Sequence, residues 1–401
     1  MLVGVRKIRL GGATAVVAAI LSMLALGGAT AGAAPPPLLT QFPEGTGTGA
    51  NQMRGPRASA VDPDTGHLFV AEAANNRVSE FDAWGVFVKS WGWGVSNGAS
   101  GPQTCGPAEP EVSPPPGLCQ IGLSGSGPGQ MQAPNGVAVD SNGNVYVLER
   151  LNFRVQKFNA AGQFVLMFGG DVNKTTGGNV CTAASGDTCG SGVKGTGPGE
   201  FEPKELFFVG NYLTVAPDDT VYVGDKDRIQ HFDMGGTYLG QLPLPKSGYP
   251  SGLAFDPVTD ALYLSYLGVA SDPPVFKLDP DDGKVLSTLE SGLGEAEIEA
   301  LAVGGDGNVY VSINPIGIGT GDAEQPRVVE FSSSGDLLIG PAEEFATPSA
   351  AERTAGATEL PSVAGNAIGN VYVGRSSVLA AGINAYGPPP TFYGPPPKIA
   401  P

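Results

Sequence analysis

Three carboxylates, Glu72, Glu149 and Asp225, each close a short apolar stretch, in "FVAE", "YVLE" and "YVGD". Acidic groups repeated at one register, where strands run out into loops, are placed to collect a cation or a polar ligand. Trp93, Tyr266 and Asn314 stand in similar loop-proximal positions and complete the set of candidate ligand contacts. Glu72, Glu149, Asp225 and Asn314 converging on a divalent cation in a central channel would support metal-assisted hydrolysis. Recurrence argues for the other role: a residue that returns in unit after unit serves the unit, so capping of strand ends is favoured. No nucleophile, base and oxyanion donor fall at recognisable spacing, so no catalytic residue, resident metal or other cofactor is assigned.

The remaining chemistry-bearing residues read in the same way. Asp-rich turns such as "DPDTG" (62–66), "DSNGN" (140–144) and "DPDDG" (279–283) lack the glycine position and distal Glu of a calcium loop, which leaves turn chemistry. Arg77, Arg154, Arg228 and Arg327 recur, with Lys277 as the approximate counterpart in the fourth copy, and are expected to brace the fold by bonding carboxylates or carbonyls. Cys105, Cys119, Cys181 and Cys189 form two close pairs, each within one short insert, and two local disulfides are expected. Zinc is the weaker reading, because neither insert holds a His. The lone N-x-T at Asn173 is read as incidental.

The elements that carry these residues repeat. Aligning on one aromatic position gives "GHLFVAE" (Phe69), "GNVYVLE" (Tyr146), "DTVYVGD" (Tyr222), "DALYLSY" (Tyr263), "GNVYVSI" (Tyr310) and "GNVYVGR" (Tyr372), six copies with a basic period of about 40 to 47 residues. Each copy supplies alternating strands separated by Gly, Asn and Asp turns, as in "GVAVD", "VYVLE", "FRVQKF" and "QFVLMF", a four-stranded antiparallel meander. Such a sheet buries both faces only when another sheet packs on each side. The stretch "PNGVAVDSNGNVYVLERLNFRVQKFNAAGQFVLMFG" (134–169) resembles an NHL repeat nearly residue for residue. That resemblance implies an all-β, six-bladed β-propeller over residues 38–387, with the V-Y-V aromatics in its core. The sixth copy lacks a fourth strand before Pro388, and "LLTQF" (38–42) is expected to complete it, closing the ring and removing an exposed edge.

In a ring of this kind the connections from fourth strand to next blade, and from second to third strand, emerge on one side. Both Cys inserts (about 95–127 and 171–195) are of the first kind, and the long segments 265–274 and 314–326 are of the second. A ligand site is therefore expected on that loop-decorated side.

Residues 1–33, with Arg6, Lys7 and Arg9 ahead of an apolar run and A-x-A sites, read as a secretory signal peptide. Residues 388–401 read as a Pro-rich tail, and no later segment is expected to span a membrane. The net charge is -17 and becomes more negative once the basic leader is gone, which repels phosphate backbones and argues against nucleic acid. The chain is thus expected to be secreted or at the cell surface, a non-catalytic binding or scaffold module for protein or glycan of the cell envelope. The alternative is a metal-dependent lactonase-like hydrolase or a lyase with its site at the channel. Resemblance to NHL-type peptidyl-hydroxyglycine lyases would imply a three-histidine zinc site, whereas this chain has His67 and His231 alone.

Overall fold

The computed structural model describes residues 37–43, 45–106, 119–202, 211–267, 275–293, 296–315, 326–339, 359–366, 368–376 and 381–387. The segments read as a leader (1–33) and as a Pro-rich tail (388–401) lie outside the described residues. The chain opens with β1 (Leu38–Phe42) and a small parallel pair, β2 (Gly45–Thr46) and β3 (Gln52–Met53). Blade one comprises β4 (Pro56–Val61), β5 (Leu68–Glu72), β6 (Arg77–Phe81), β7 (Phe87–Trp93) and β8 (Pro102–Cys105). Blade two comprises β9 (Gly136–Val139), β10 (Val145–Glu149), β11 (Arg154–Phe158), β12 (Phe164–Asn173) and β13 (Gly178–Thr182). Blades three and four are β14 (Leu213–Val215), β15 (Val221–Gly224), β16 (Arg228–Phe232), β17 (Tyr238–Pro243), then β18 (Tyr249–Asp256), β19 (Ala261–Leu267), β20 (Val275–Leu278) and β21 (Val285–Leu289). Blade five is β22 (Ala296–Val303), β23 (Val309–Pro315), β24 (Arg327–Phe331) and β25 (Leu337–Ile339); β26 (Glu359–Gly365), β27 (Val371–Ser376) and β28 (Gly382–Tyr386) begin blade six.

Every residue of β5, β6, β10 and β11 is buried, because both faces of these strands lie under a neighbouring blade. Their sequences accordingly read as continuous apolar and clamped polar residues rather than as half-exposed alternation. The expected core aromatics Phe69, Tyr146, Tyr222, Tyr263, Tyr310 and Tyr372 are all buried, none more than 6% exposed. In blades one to five the pairing of third and fourth strands shifts register at the same place, as at Lys157/Phe158 and His231/Phe232, a bulge that adds twist where the outer strand leaves the centre.

Ring closure follows the sequence expectation. β1 pairs antiparallel with β28, Leu38 opposite Tyr386 and Phe42 opposite Ile383, so the sheet order of blade six is β1-β28-β27-β26. Packing shows that β1 is a true fourth strand. An outer-strand aromatic of each early blade lies over the glycine of the next blade's hairpin turn: Trp91 over Gly162 and Phe168 over Gly236, with φ of 79° and 80°. Phe42 lies over Gly85 (φ 81°) in the same way, and a Cβ there would sit 2.4 Å from the Phe42 ring. Only glycine meets both the positive φ and the close ring.

One expectation needs correction. The blades are not uniformly four-stranded: each Cys insert turns back along the outer edge of its blade as a fifth strand, β8 on β7 and β13 on β12. Instead of simply standing on the loop face, the inserts cover the sheet edges of blades one and two. Disulfides Cys105–Cys119 and Cys181–Cys189 fasten them, with the expected local connectivity. Closing so short a loop in the unfolded chain is worth about 2–3 kcal/mol in the chain-entropy account. Replacing Cys181 and Cys189 together by Ser should lower the unfolding free energy by about that much in a urea titration and speed amide exchange in β13.

Candidate functional site

The three recurring carboxylates occupy one position in three successive blades, and the sequence around them dictates the same network each time. Glu72 accepts from Arg77 Nε (2.9 Å), Asn75 Nδ2 (2.6 Å), the Ser79 hydroxyl and the backbone N–H of Arg54 (3.0 Å). Glu149 accepts from Arg154 Nε (2.9 Å), Asn152 Nδ2 (2.7 Å), Gln156 Nε2 (2.7 Å) and the Gln132 N–H (2.7 Å). Asp225 accepts from Arg228 Nε (3.1 Å), Gln230 Nε2 (3.3 Å) and the N–H groups of Glu202 (2.8 Å) and Lys226 (2.9 Å). Burial pushes the Asp225 carboxyl above the usual range, against these donors. Four donors fill the acceptor capacity of a carboxylate. A divalent cation would have to displace an arginine from each, so these residues do not fit a metal. Among the described residues no three of His, Cys, Asp and Glu gather as metal ligands.

The arginines hold the turn that enters each blade. Arg77 donates to the carbonyls of Thr48 (2.6 Å), Gly49 (3.3 Å) and Gln52 (2.7 Å). Arg154 reaches Ser126, Gly127 (3.3 Å) and Gln130 (2.8 Å), and Arg228 reaches Thr196 (2.7 Å), Gly197 (3.0 Å) and Glu200 (2.9 Å). These are the three Gly-rich turns "GTGTGANQ", "GSGPGQ" and "GTGPGE". The bracing role expected of the arginines is therefore realised for Arg77, Arg154 and Arg228, and each Glu or Asp orients its guanidinium. Lys277 is not the fourth member: it lies opposite Tyr263 as Lys157 lies opposite Tyr146, each ammonium near its ring and bonded to Asp256 (3.3 Å) or Asp140 (3.0 Å). The Asp-rich turns are self-capped, Asp62 Oδ1 accepting from Asp64 and Thr65 N–H and Asp140 Oδ1 from Asn142 and Asn144 N–H.

The other candidates are dispersed. Tyr266 is 2% exposed, its hydroxyl donates to the Lys246 carbonyl (3.0 Å), and burial pushes its phenol up to about 12. Asn314 sits at the end of β23 with Nδ2 on Glu299 Oε1 (3.1 Å). His67 bonds Glu80 (2.6 Å), which raises its pKa, while His231 stacks on Tyr222 and is lowered by burial. Asn173 is buried with its amide on Asp187 (2.8 Å).

Trp93 alone of the set borders an exposed feature, and sequence reasoning missed that feature. Its carbonyl accepts from Leu123 N–H (2.7 Å), and Leu123 is 41% exposed. Asn152 Nδ2 donates to the Gly125 carbonyl (2.9 Å), and the Asn152 carbonyl accepts from Gly192 N–H (2.7 Å). Leu151 and Val193, each next in sequence to one of these, are both 48% exposed. Leu123, Leu151 and Val193 thus stand exposed on loops that are hydrogen-bonded to one another on the loop-bearing side of blades one and two, an apolar ridge by position. The signal in the sequence is the doublet "IGL" (121–123) and "SGV" (191–193), each just before a Gly-rich turn.

Six antiparallel sheets around one axis, the last shared between the chain ends, define a six-bladed β-propeller. Its second blade carries an NHL repeat, matched over residues 131–158. No curated protein sequence matches the chain. Among solved structures it is similar to a gluconolactonase, XC5397 from Xanthomonas campestris (14% identity, 89% of this chain and 97% of that one, TM-score 0.49). It is also similar to virginiamycin B lyase from Staphylococcus aureus (14%, 85% and 87%, TM-score 0.43). Hydrazine synthase of Kuenenia stuttgartiensis is a further match (13%, 70% of this chain, TM-score 0.40), and there the chain spans 64% of that chain's length.

Proposed function

We propose that the protein is a non-catalytic recognition propeller, secreted or held at the cell envelope, that docks a protein partner on the ridge of Trp93, Leu123, Leu151 and Val193. The exposed apolar ridge on a rigid, disulfide-fastened rim is the observation that carries this reading. Scattered apolar side chains on a surface are ordinary, but several carried on mutually bonded loops of a braced face favour an interaction site. An apolar ridge favours a protein over a glycan within the envelope class. The saturated carboxylates support a role without catalysis, and two disulfides support an oxidising location.

The double variant Leu123→Asp/Val193→Asp is expected to fold as the parent does, since both side chains face solvent, and to lose at least about ten-fold in capture of its envelope partner by the immobilised protein. Partner capture that survives this variant, or a hydrolytic turnover by the purified protein that Glu149→Gln abolishes, would overturn the reading.

A further inference from the structure

The axis of the ring holds a cavity of about 400 Å³, walled by the first strands of all six blades and lined by none of the ridge residues. Val61, Val139, Val215 and Val303 stand at one register in four blades with Phe255 in another, and the valines keep part of their surface exposed. They form an apolar girdle. Toward the loop-bearing side the cavity ends at Asn211, whose side chain bonds the N–H (3.2 Å) and C=O (2.8 Å) of Val137 while its carbonyl accepts from Leu253 N–H (2.8 Å). Toward the other side the wall runs out through the exposed residues Pro63, Ser141, Pro217, Pro257 and Gly305.

Those exposed residues belong to the turns between first and second strands. The six turns, residues 62–66, 140–144, 216–220, 256–260, 304–308 and 366–370, hold eight aspartates and no lysine or arginine. Asp62, Asp140 and Asp256 are buried in their own turns, but Asp64, Asp218, Asp260 and Asp306 are exposed. A rim of one sign over a low-dielectric shaft concentrates cations at its mouth. Inside, Ser59 lines the cavity, is 3% exposed, and its Oγ has no hydrogen-bond partner among the described residues. A buried hydroxyl left unmatched points to a group that enters from outside the chain.

We propose that this cavity binds an organic cation with an apolar tail. The tail lies in the valine girdle, the ammonium stays among the rim aspartates, and the Ser59 hydroxyl serves a polar atom along the tail. The size is that of a small-ligand pocket, and apolar walls with a few polar groups are the usual composition of one. This inference is independent of the ridge.

The test uses octyltrimethylammonium, titrated calorimetrically into the full chain at low ionic strength, beside n-octanol and octanoate of equal tail length. One saturable site is expected for the cation, with octanol at least about ten-fold weaker and octanoate weaker again. Val303→Trp, which fills the girdle, should abolish binding of the cation. Asp218→Asn/Asp260→Asn/Asp306→Asn keeps every turn acceptor and should weaken the cation about ten-fold while leaving octanol unchanged; this variant decides the matter if the first does not fold. Absence of a saturable site, equal binding of all three compounds, or a triple variant that binds the cation as the parent does would overturn the proposal.

Discussion

Deleting Leu38–Phe42 is expected to lower the unfolding free energy by several kcal/mol and to yield a product that aggregates. The strand contributes its ladder with β28, at roughly 1 kcal/mol per hydrogen bond, and its removal leaves the outer edge of blade six open to pairing with other chains. Phe42 carries the largest single share. It is 5% exposed and packs on Phe81 (5.0 Å between ring centres) and Tyr372 (6.4 Å), so it joins the first blade to the last. Phe42→Ala alone should cost about 3–5 kcal/mol, the range for truncating a buried aromatic. Denaturant titration of both variants checks this, with light scattering for the deletion. A deletion product that unfolds at the parent's midpoint would mean that the ring does not depend on its chain ends.

Glu149→Ala is expected to be nearly as damaging. Arg154 is fully buried with Glu149 as its ion-pair partner, and the truncation leaves its guanidinium buried with carbonyl acceptors but without its counter-charge. Loss of one partner of such a pair costs about 3–5 kcal/mol. The Gln132 N–H loses its acceptor at the same time, and Asn152 and Gln156 each lose one of two. Asp225→Ala should cost less, because the Arg228 side chain retains 13% exposure and can be hydrated. The order of the two losses, read from thermal or urea unfolding, separates clamp from ligand contact. A Glu149→Ala protein of unchanged stability would show a carboxylate that is free for other work.

The physical reasons for what the sequence disclosed differ from element to element. Strands in the middle of a blade are covered on both sides, so their aromatic and β-branched runs repeat with the blade and made the six-fold count and the role of "LLTQF" readable. The disulfide pairs followed from closeness in the chain. β8, "PQTC", and β13, "GNVCT", escaped notice because an outermost strand has one wet face and needs little apolar content. The recurrence of Glu72, Glu149 and Asp225 pointed to a structural duty, yet their arginines' acceptors are backbone carbonyls, which no residue type announces. Leu123, Leu151 and Val193 looked like isolated loop residues, since hydrogen bonds between loops of different blades bring them together. Asp62, Asp64 and Asp140 were read as turn formers, which holds for Asp62 and Asp140, while the aspartates of the turns at 216–220, 256–260 and 304–308 went unremarked; the exposed ones gain meaning from their place in the turns beside the cavity mouth.

The meeting of the two chain ends in blade six has a mechanical corollary. Leu38 faces Tyr386, and the Gly387 N–H donates to the Pro37 carbonyl (3.0 Å), so both ends leave the disc at the same point. Tension applied between them would load one rung of the β1/β28 ladder at a time, peeling it like a zip, whereas a pull on either end together with a distant loop would strain all the rungs in parallel. The molecule is therefore weak along one direction of traction and strong along others.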